Sequence, residues 1–112
     1  MLRELKGTQR LPRVLAFRID GTGTASILEG AFDASLVDNG VGDYTLNFNT
    51  PFARVPVVSL SPIASAGDVI LCIKVVSASA LQINAFDATD GTTAKDCDFH
   101  AIVHGFDSVD AT

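Results

Sequence analysis

The chain has no tryptophan, one tyrosine, one methionine, two cysteines and eight lysine and arginine residues in 112 positions. Each scarcity excludes something. Sugar-binding sites present exposed aromatic rings, and here the aromatics are almost all phenylalanine, seven in number, most of them at inferred core positions. A lectin is therefore disfavoured. Cys72 and Cys97 are far apart in sequence, whereas a zinc site needs closely spaced ligand pairs. With few cations, the chain lacks the clustered Lys and Arg that neutralise phosphates, and nothing supplies interleaved aromatics to stack bases. No nucleic-acid partner is expected. No apolar run approaches the ~20 residues that span a bilayer, so no membrane partner is expected either. The charged N-terminus is not followed by an apolar stretch and a small-residue cleavage site, so no secretory leader is expected.

What is present describes a folded domain. The hydrophobic fraction is 47% and the charged fraction 19%, the composition of a globular chain. A chain of this size buries somewhat over ~60% of its unfolded surface, enough for one thin core. Charge is distributed unevenly. Residues 1–18 carry +4 and residues 19–112 carry −9, together the net −5. The basic end, residues 1–10 with Arg13 just beyond, is read as an arm on an acidic body. Arg3, Lys6, Arg10 and Arg13 are its candidate partner-binding residues.

Along the chain, strand patterns alternate with turn signals. Leu11 to Ile19 reads as extended, followed by the turn Asp20-Gly21-Thr22-Gly23 and a short strand from Ala25 to Glu29. Ala31 to Val37 is ambiguous. In the turn Asp38 to Asp43, Asn39-Gly40 supplies the residues that tolerate positive φ in a tight hairpin. Tyr44 to Asn49 alternates strictly, placing Tyr44, Leu46 and Phe48 in the core and Thr45, Asn47 and Asn49 outside. Pro51 and Pro56 then remove donors and enforce extended geometry, marking a corner where the chain passes from one sheet to another. Val57 to Leu60 is a strand and Pro62 to Gly67 a loop. Val69 to Ser77 is almost continuously apolar and predicts a central strand covered on both faces, with Cys72 a buried small hydrophobe. Leu81 to Phe86 pairs back on it. Asp87 to Asp96 is a polar loop, Phe99 to Phe106 the last long strand, and Ser108 to Thr112 a tail. The fold class is all-β: a single β-sandwich or jelly-roll of about seven or eight short antiparallel strands with an extended N-terminal arm.

Few residues point to chemistry. His100 and His104, four apart on a strand, share a face and straddle Ile102, with Phe106 beyond. At roughly 13 Å separation they are too far apart for one metal, and they are read instead as candidate interface residues at a subunit contact. Asp87-Ala88-Thr89-Asp90-Gly91-Thr92 lacks the ligand spacing and terminal glutamate of a calcium loop and reads as a turn. Neither the glycine pair at Gly21 and Gly23 nor any serine falls in a phosphate-loop or nucleophile-elbow pattern. Asp96 and Asp98 flank Cys97, disfavouring a reactive thiolate there, and they suit a solvated edge. The two thiols are expected to be free. No catalytic, cofactor or metal site is expected, and the chain is not expected to be an enzyme.

The segment Gly42-Asp43-Tyr44-Thr45-Leu46-Asn47-Phe48-Asn49-Thr50-Pro51-Phe52-Ala53-Arg54-Val55-Pro56-Val57-Val58 resembles one found in small β-domains of tailed-bacteriophage virion proteins. These include head decoration (cement) proteins and tail-fibre domains. The resemblance covers about 17 residues. It implies a β-domain that assembles, commonly as a homotrimer, and it carries over no catalytic residues. The expectation it supports is a virion structural protein, assembled in the host cytoplasm, that decorates the capsid. Its partners would be the major capsid protein or other virion subunits and further copies of itself. A tail-fibre or tail-appendage module recognising a host receptor or glycan is the alternative.

Overall fold

The computed structural model describes residues 8–63 and 68–110, with side chains described over 11–63 and 68–107. Eight strands form: β1 (Thr8–Asp20), β2 (Ser26–Glu29), β3 (Ala34–Gly40), β4 (Asp43–Phe48), β5 (Val57–Ile63), β6 (Val69–Val76), β7 (Ala80–Asp87) and β8 (Asp98–Asp110). They build two four-stranded antiparallel sheets, ordered β2-β1-β8-β5 and β3-β4-β7-β6, which pack face to face as a β-sandwich.

Side-chain alternation makes this arrangement favourable. On β4, Tyr44, Leu46 and Phe48 point inward, as their strict period predicts. On β7, Leu81, Ile83 and Ala85 do the same, each completely buried. The facing sheet contributes Leu15, Phe17 and Ile19 from β1, and Phe99, Ala101 and Val103 from β8. Fully burying each large apolar side chain among these contributes about 1.5–3 kcal/mol. Tyr44 and Phe99 meet across the layers with ring centroids 5.4 Å apart.

The Thr50–Pro56 corner lies between β4 in one sheet and β5 in the other, so the chain changes sheets there, as the prolines indicate. Phe52 anchors it. Its ring sits edge-on to Phe48 at 5.3 Å, and the Arg13 guanidinium lies 4.0 Å from its centroid. Arg13 also donates to the Thr50 carbonyl at 2.8 Å and forms an ion pair with Asp107 at 2.9 Å. A Cβ at Gly105 would come within 2.5 Å of the Phe52 ring, so the glycine makes room for the anchor.

A second tie closes the opposite end. The buried Tyr44 hydroxyl lies 2.8 Å from the Gly21 carbonyl and 3.0 Å from Asp96 Oδ1, with the Cys97 N–H donating to it at 3.4 Å. Asp96 Oδ1 also accepts from the Gly42 N–H at 2.9 Å. Burial pushes the Tyr44 phenol well above its ordinary range, and the Asp96 carboxylate adds to the effect.

Several details differ from the sequence reading, among them Pro62 and Ile63, which continue β5 instead of opening a loop, and Thr8 to Arg10, which belong to β1 instead of the arm. The ambiguous segment resolves into a turn over residues 31–33 and then β3. In the β3–β4 hairpin, Gly40 already pairs with Asp43, so the two-residue connection is Val41-Gly42. Gly40 takes a positive φ of 126°, as expected, and Gly42 one of 62°, while Asn39 does not adopt positive φ. Strand β6 is an edge strand rather than a central one. Its continuous apolar run is one-sided in effect: Val69, Leu71 and Val76 pack on the core, whereas Ile70, Cys72 and Val75 are exposed. A register shift between Ile73 and Val75, with Lys74 inside it, blunts this edge against pairing with another chain. Finally, the backbone of β8 continues through Asp110, opposite Thr8 of β1, where a tail was expected.

A candidate interaction face

The central strands of the two sheets differ in what they turn outward. An antiparallel sheet packed on one face ordinarily carries polar residues on the other. The sheet β3-β4-β7-β6 follows this rule along its central strands. There Thr45, Asn47, Gln82 and Asn84 point outward. Asp43 gathers polar neighbours on this side: Asn39 and Gln82 each donate to its Oδ1 at 3.3 Å, and Lys74 lies 3.8 Å from its Oδ2.

The sheet β2-β1-β8-β5 does not follow it. On β8, the residues between the buried Phe99, Ala101 and Val103 are His100, Ile102 and His104, with Phe106 following. On β1, those between the buried Leu15, Phe17 and Ile19 are Val14, Ala16 and Arg18. The register aligns these outward rows. Ile102 sits opposite Ala16 and Ser59, His104 opposite Val14 and Val57, His100 opposite Arg18 and Ser61, and Phe106 opposite Pro12. The centre of the face is thus apolar. Val57 is 75% exposed, Val14 56%, Ile102 48% and Phe106 44%. The His104 and Phe106 rings lie 6.0 Å apart, tilted by 34°.

Polar groups gather at one end. There a shallow hollow of about 270 Å³ is lined by Ala16, Phe17, Arg18, Glu29, His100 and Ile102. It is smaller than the ~300–1,000 Å³ clefts that enclose small-molecule ligands. It lies beside the irregularity between Arg18 and Ile19, where pairing with β2 shifts and Leu28 is left 53% exposed. Among the described residues, no group of three or more His, Cys, Asp or Glu is arranged to hold a metal ion.

The candidate residues fall into three groups. His100 and His104 lie together on the apolar face, which the period-2 pattern of β8 predicts. Arg13 does not project with the arm. Its side chain is turned inward onto Phe52, Thr50 and Asp107. Arg10 has its backbone in β1 opposite Ser108, while Arg3 and Lys6 lie outside the described residues. Sequence reasoning missed Val14, Ala16, Leu28 and Val57 as members of the face. A signal was available for β1. Val14-Leu15-Ala16-Phe17 is apolar at consecutive positions, so a strand there must present apolar groups on both sides.

The cysteines are unpaired. Cys72 is exposed on the edge strand, against expectation, because its outward side of β6 is not covered by another layer. Cys97 is buried, and burial raises its thiol pKa, with the Asp98 carboxylate acting in the same direction.

No family model, no curated protein and no solved structure matches the chain.

Proposed function

We propose that this chain is a non-enzymatic structural subunit of a tailed-bacteriophage virion, a capsid decoration protein that binds the shell and associates with copies of itself, a trimer being favoured. The observation that carries the reading is the apolar outer face of the β2-β1-β8-β5 sheet. Its central strands expose Val14, Ile102 and Phe106 where a solvated sheet would carry polar side chains. Contiguous apolar surface of this kind marks a contact with another macromolecule. The segment that resembles small virion β-domains, Gly42 to Val58, supplies β4, the sheet-changing corner and the start of β5. It therefore belongs mostly to the framework and reaches the face only through Val57 at the start of β5.

The proposed shell contact is the basic N-terminal end. Since β1 begins at Thr8 and Arg13 is engaged inside the fold, the residues left for that contact are 1–7, with Arg10 beside them. Two experiments test the proposal. Antibody-gold labelling of source particles is expected to decorate heads. Label confined to tails would transfer the protein to the tail-appendage reading, and unlabelled particles would end both. Deleting residues 1–7 is expected to weaken binding to particles while leaving the sandwich folded. Unchanged binding would remove the arm from the mechanism.

A further inference from the structure

We infer that Asn39 is the deamidation site of this chain, and that hydrogen bonds of the β3–β4 hairpin, rather than burial, set its rate in the folded protein. The inference is independent of the proposed function.

The sequence singles out the residue. Of the four asparagines, Asn47 precedes Phe48, Asn49 precedes Thr50 and Asn84 precedes Ala85, whereas Asn39 precedes Gly40. Deamidation begins when the backbone nitrogen of the following residue attacks the side-chain Cγ. A Cβ on that following residue crowds the approach, and glycine has none. The Gly40 nitrogen gives up its proton and bonds to Asn39 Cγ, the Cγ–Nδ2 bond breaks, and Nδ2 leaves as ammonia. Water then opens the cyclic imide at either carbonyl, giving aspartate or isoaspartate. Water is the only co-reactant, and nothing is oxidised or reduced.

The fold leaves this pair open to solvent. Asn39 and Gly40 are both exposed at the end of the edge strand β3. The register passes from Asp38 opposite Tyr44 to Gly40 opposite Asp43, so Asn39 is the unpaired residue of a bulge. A Cβ built on Gly40 would meet no atom within 4 Å beyond its chain neighbours. Water and the flank of Gly40 are thus accessible, and burial offers no protection.

Hydrogen bonds supply the restraint. Asn39 Nδ2 donates to Thr45 Oγ1 at 2.7 Å and to Asp43 Oδ1 at 3.3 Å, which turns the carboxamide toward β4. Donation to a carboxylate also feeds electron density into the amide and makes Cγ a poorer electrophile. The Gly40 N–H donates to Asp38 Oδ1 at 3.0 Å. That carboxylate opposes loss of the proton, because a negative nitrogen would form beside it. Asp38 is also a weak base, its pKa held below the ordinary value by the Ala25 and Gly40 amides. These three hydrogen bonds must be released before the ring closes, which slows the folded protein at least about tenfold against the unfolded chain. The product reverses the bonding. A carboxylate at position 39 has no N–H to donate and repels Asp38 and Asp43, so deamidation loosens the hairpin in which it occurs.

Peptide mapping by mass spectrometry tests this on the full chain, incubated at mildly alkaline pH in native buffer and in guanidinium chloride. The variants are Thr45→Val, which removes one acceptor for Asn39, and Asp38→Ala, which frees the Gly40 N–H. Circular dichroism checks that each is folded. In denaturant, Asn39 is expected to convert ahead of Asn47, Asn49 and Asn84. In native buffer the wild type should convert at least about tenfold more slowly, and each variant about two- to tenfold faster than the native wild type. Earlier conversion of another asparagine in denaturant would overturn the site. Equal native and denatured rates, or folded variants that both convert at the wild-type rate, would overturn the restraint. Thr45→Val conserves side-chain shape on a strand, so it decides the second point if Asp38→Ala fails to fold.

Discussion

Replacing Tyr44 with phenylalanine isolates one tie in the sandwich, because the ring is completely buried and only its hydroxyl changes. That oxygen meets the Gly21 carbonyl at 2.8 Å, Asp96 Oδ1 at 3.0 Å and the Cys97 N–H at 3.4 Å. Asp96 Oδ1 keeps the Gly42 N–H in the variant, so it is not orphaned. The Gly21 carbonyl and the Cys97 N–H lose this partner. A net hydrogen bond contributes ~0.5–1.5 kcal/mol, and an unsatisfied buried group costs ~1–3 kcal/mol. Tyr44→Phe is therefore expected to lose about 2 kcal/mol, read as a fall of roughly 8–15 °C in Tm. The pH dependence gives an independent signature. The folded-state phenol pKa is raised above the ordinary value near 10, so its contribution is complete below ~10 and is lost as pH rises toward the folded value. Alkaline unfolding should therefore be steeper in the wild type than in Tyr44→Phe. Since the chain has one tyrosine and no tryptophan, the phenolate absorbance reports this residue alone. Equal stability of the two proteins, or phenolate appearing near pH 10 while the fold is intact, would refute the reasoning.

Three further outcomes are expected. Arg13→Ala should cost about 1.5–2.5 kcal/mol in urea unfolding, through the lost Thr50 hydrogen bond, the Asp107 pair and the Phe52 contact; an unchanged midpoint would return Arg13 to the arm. Asp90 is held down to about 2 by the Thr93 hydroxyl and the Thr93 and Thr92 amides, and hydrogen bonds also lower Asp87 and Asp38. Their contribution is present above ~4 and lost as pH falls toward 2, so Asp90→Asn should show a shallower acid transition than the wild type; identical acid limbs would contradict this. A thiol reagent should modify Cys72 rapidly in the native protein and Cys97 only after denaturation; two fast-reacting thiols in the native state would show that Cys97 is not protected.

The strand locations were largely legible because periodicity is a local property. Tyr44, Leu46 and Phe48 alternate so cleanly with polar neighbours that their burial follows from the pattern, and Pro51 and Pro56 mark the corner because proline restricts the backbone wherever it stands. The same alternation placed His100 and His104 on the side of β8 opposite Phe99, Ala101 and Val103. Edge or centre was not legible for β6. Its apolar run has the composition of a doubly covered strand, but cover depends on which strands lie beside it and what packs on its outer side.

By itself, then, the sequence determined an all-β chain, its turns and the inward rows of its strands, since these depend on neighbours a few residues away. The tertiary structure alone decided that β1 and β8, from opposite ends of the chain, lie side by side in the middle of one sheet. That pairing brings Val14 and Ala16 against His104 and Ile102 and makes one apolar face of residues scattered through the sequence. It also turns Arg13 from a basic arm residue into a clamp on Phe52, because only the folded register sets its guanidinium between Thr50 and Asp107. Contacts between residues far apart in the chain depend on strand order, and local residue patterns do not encode that order.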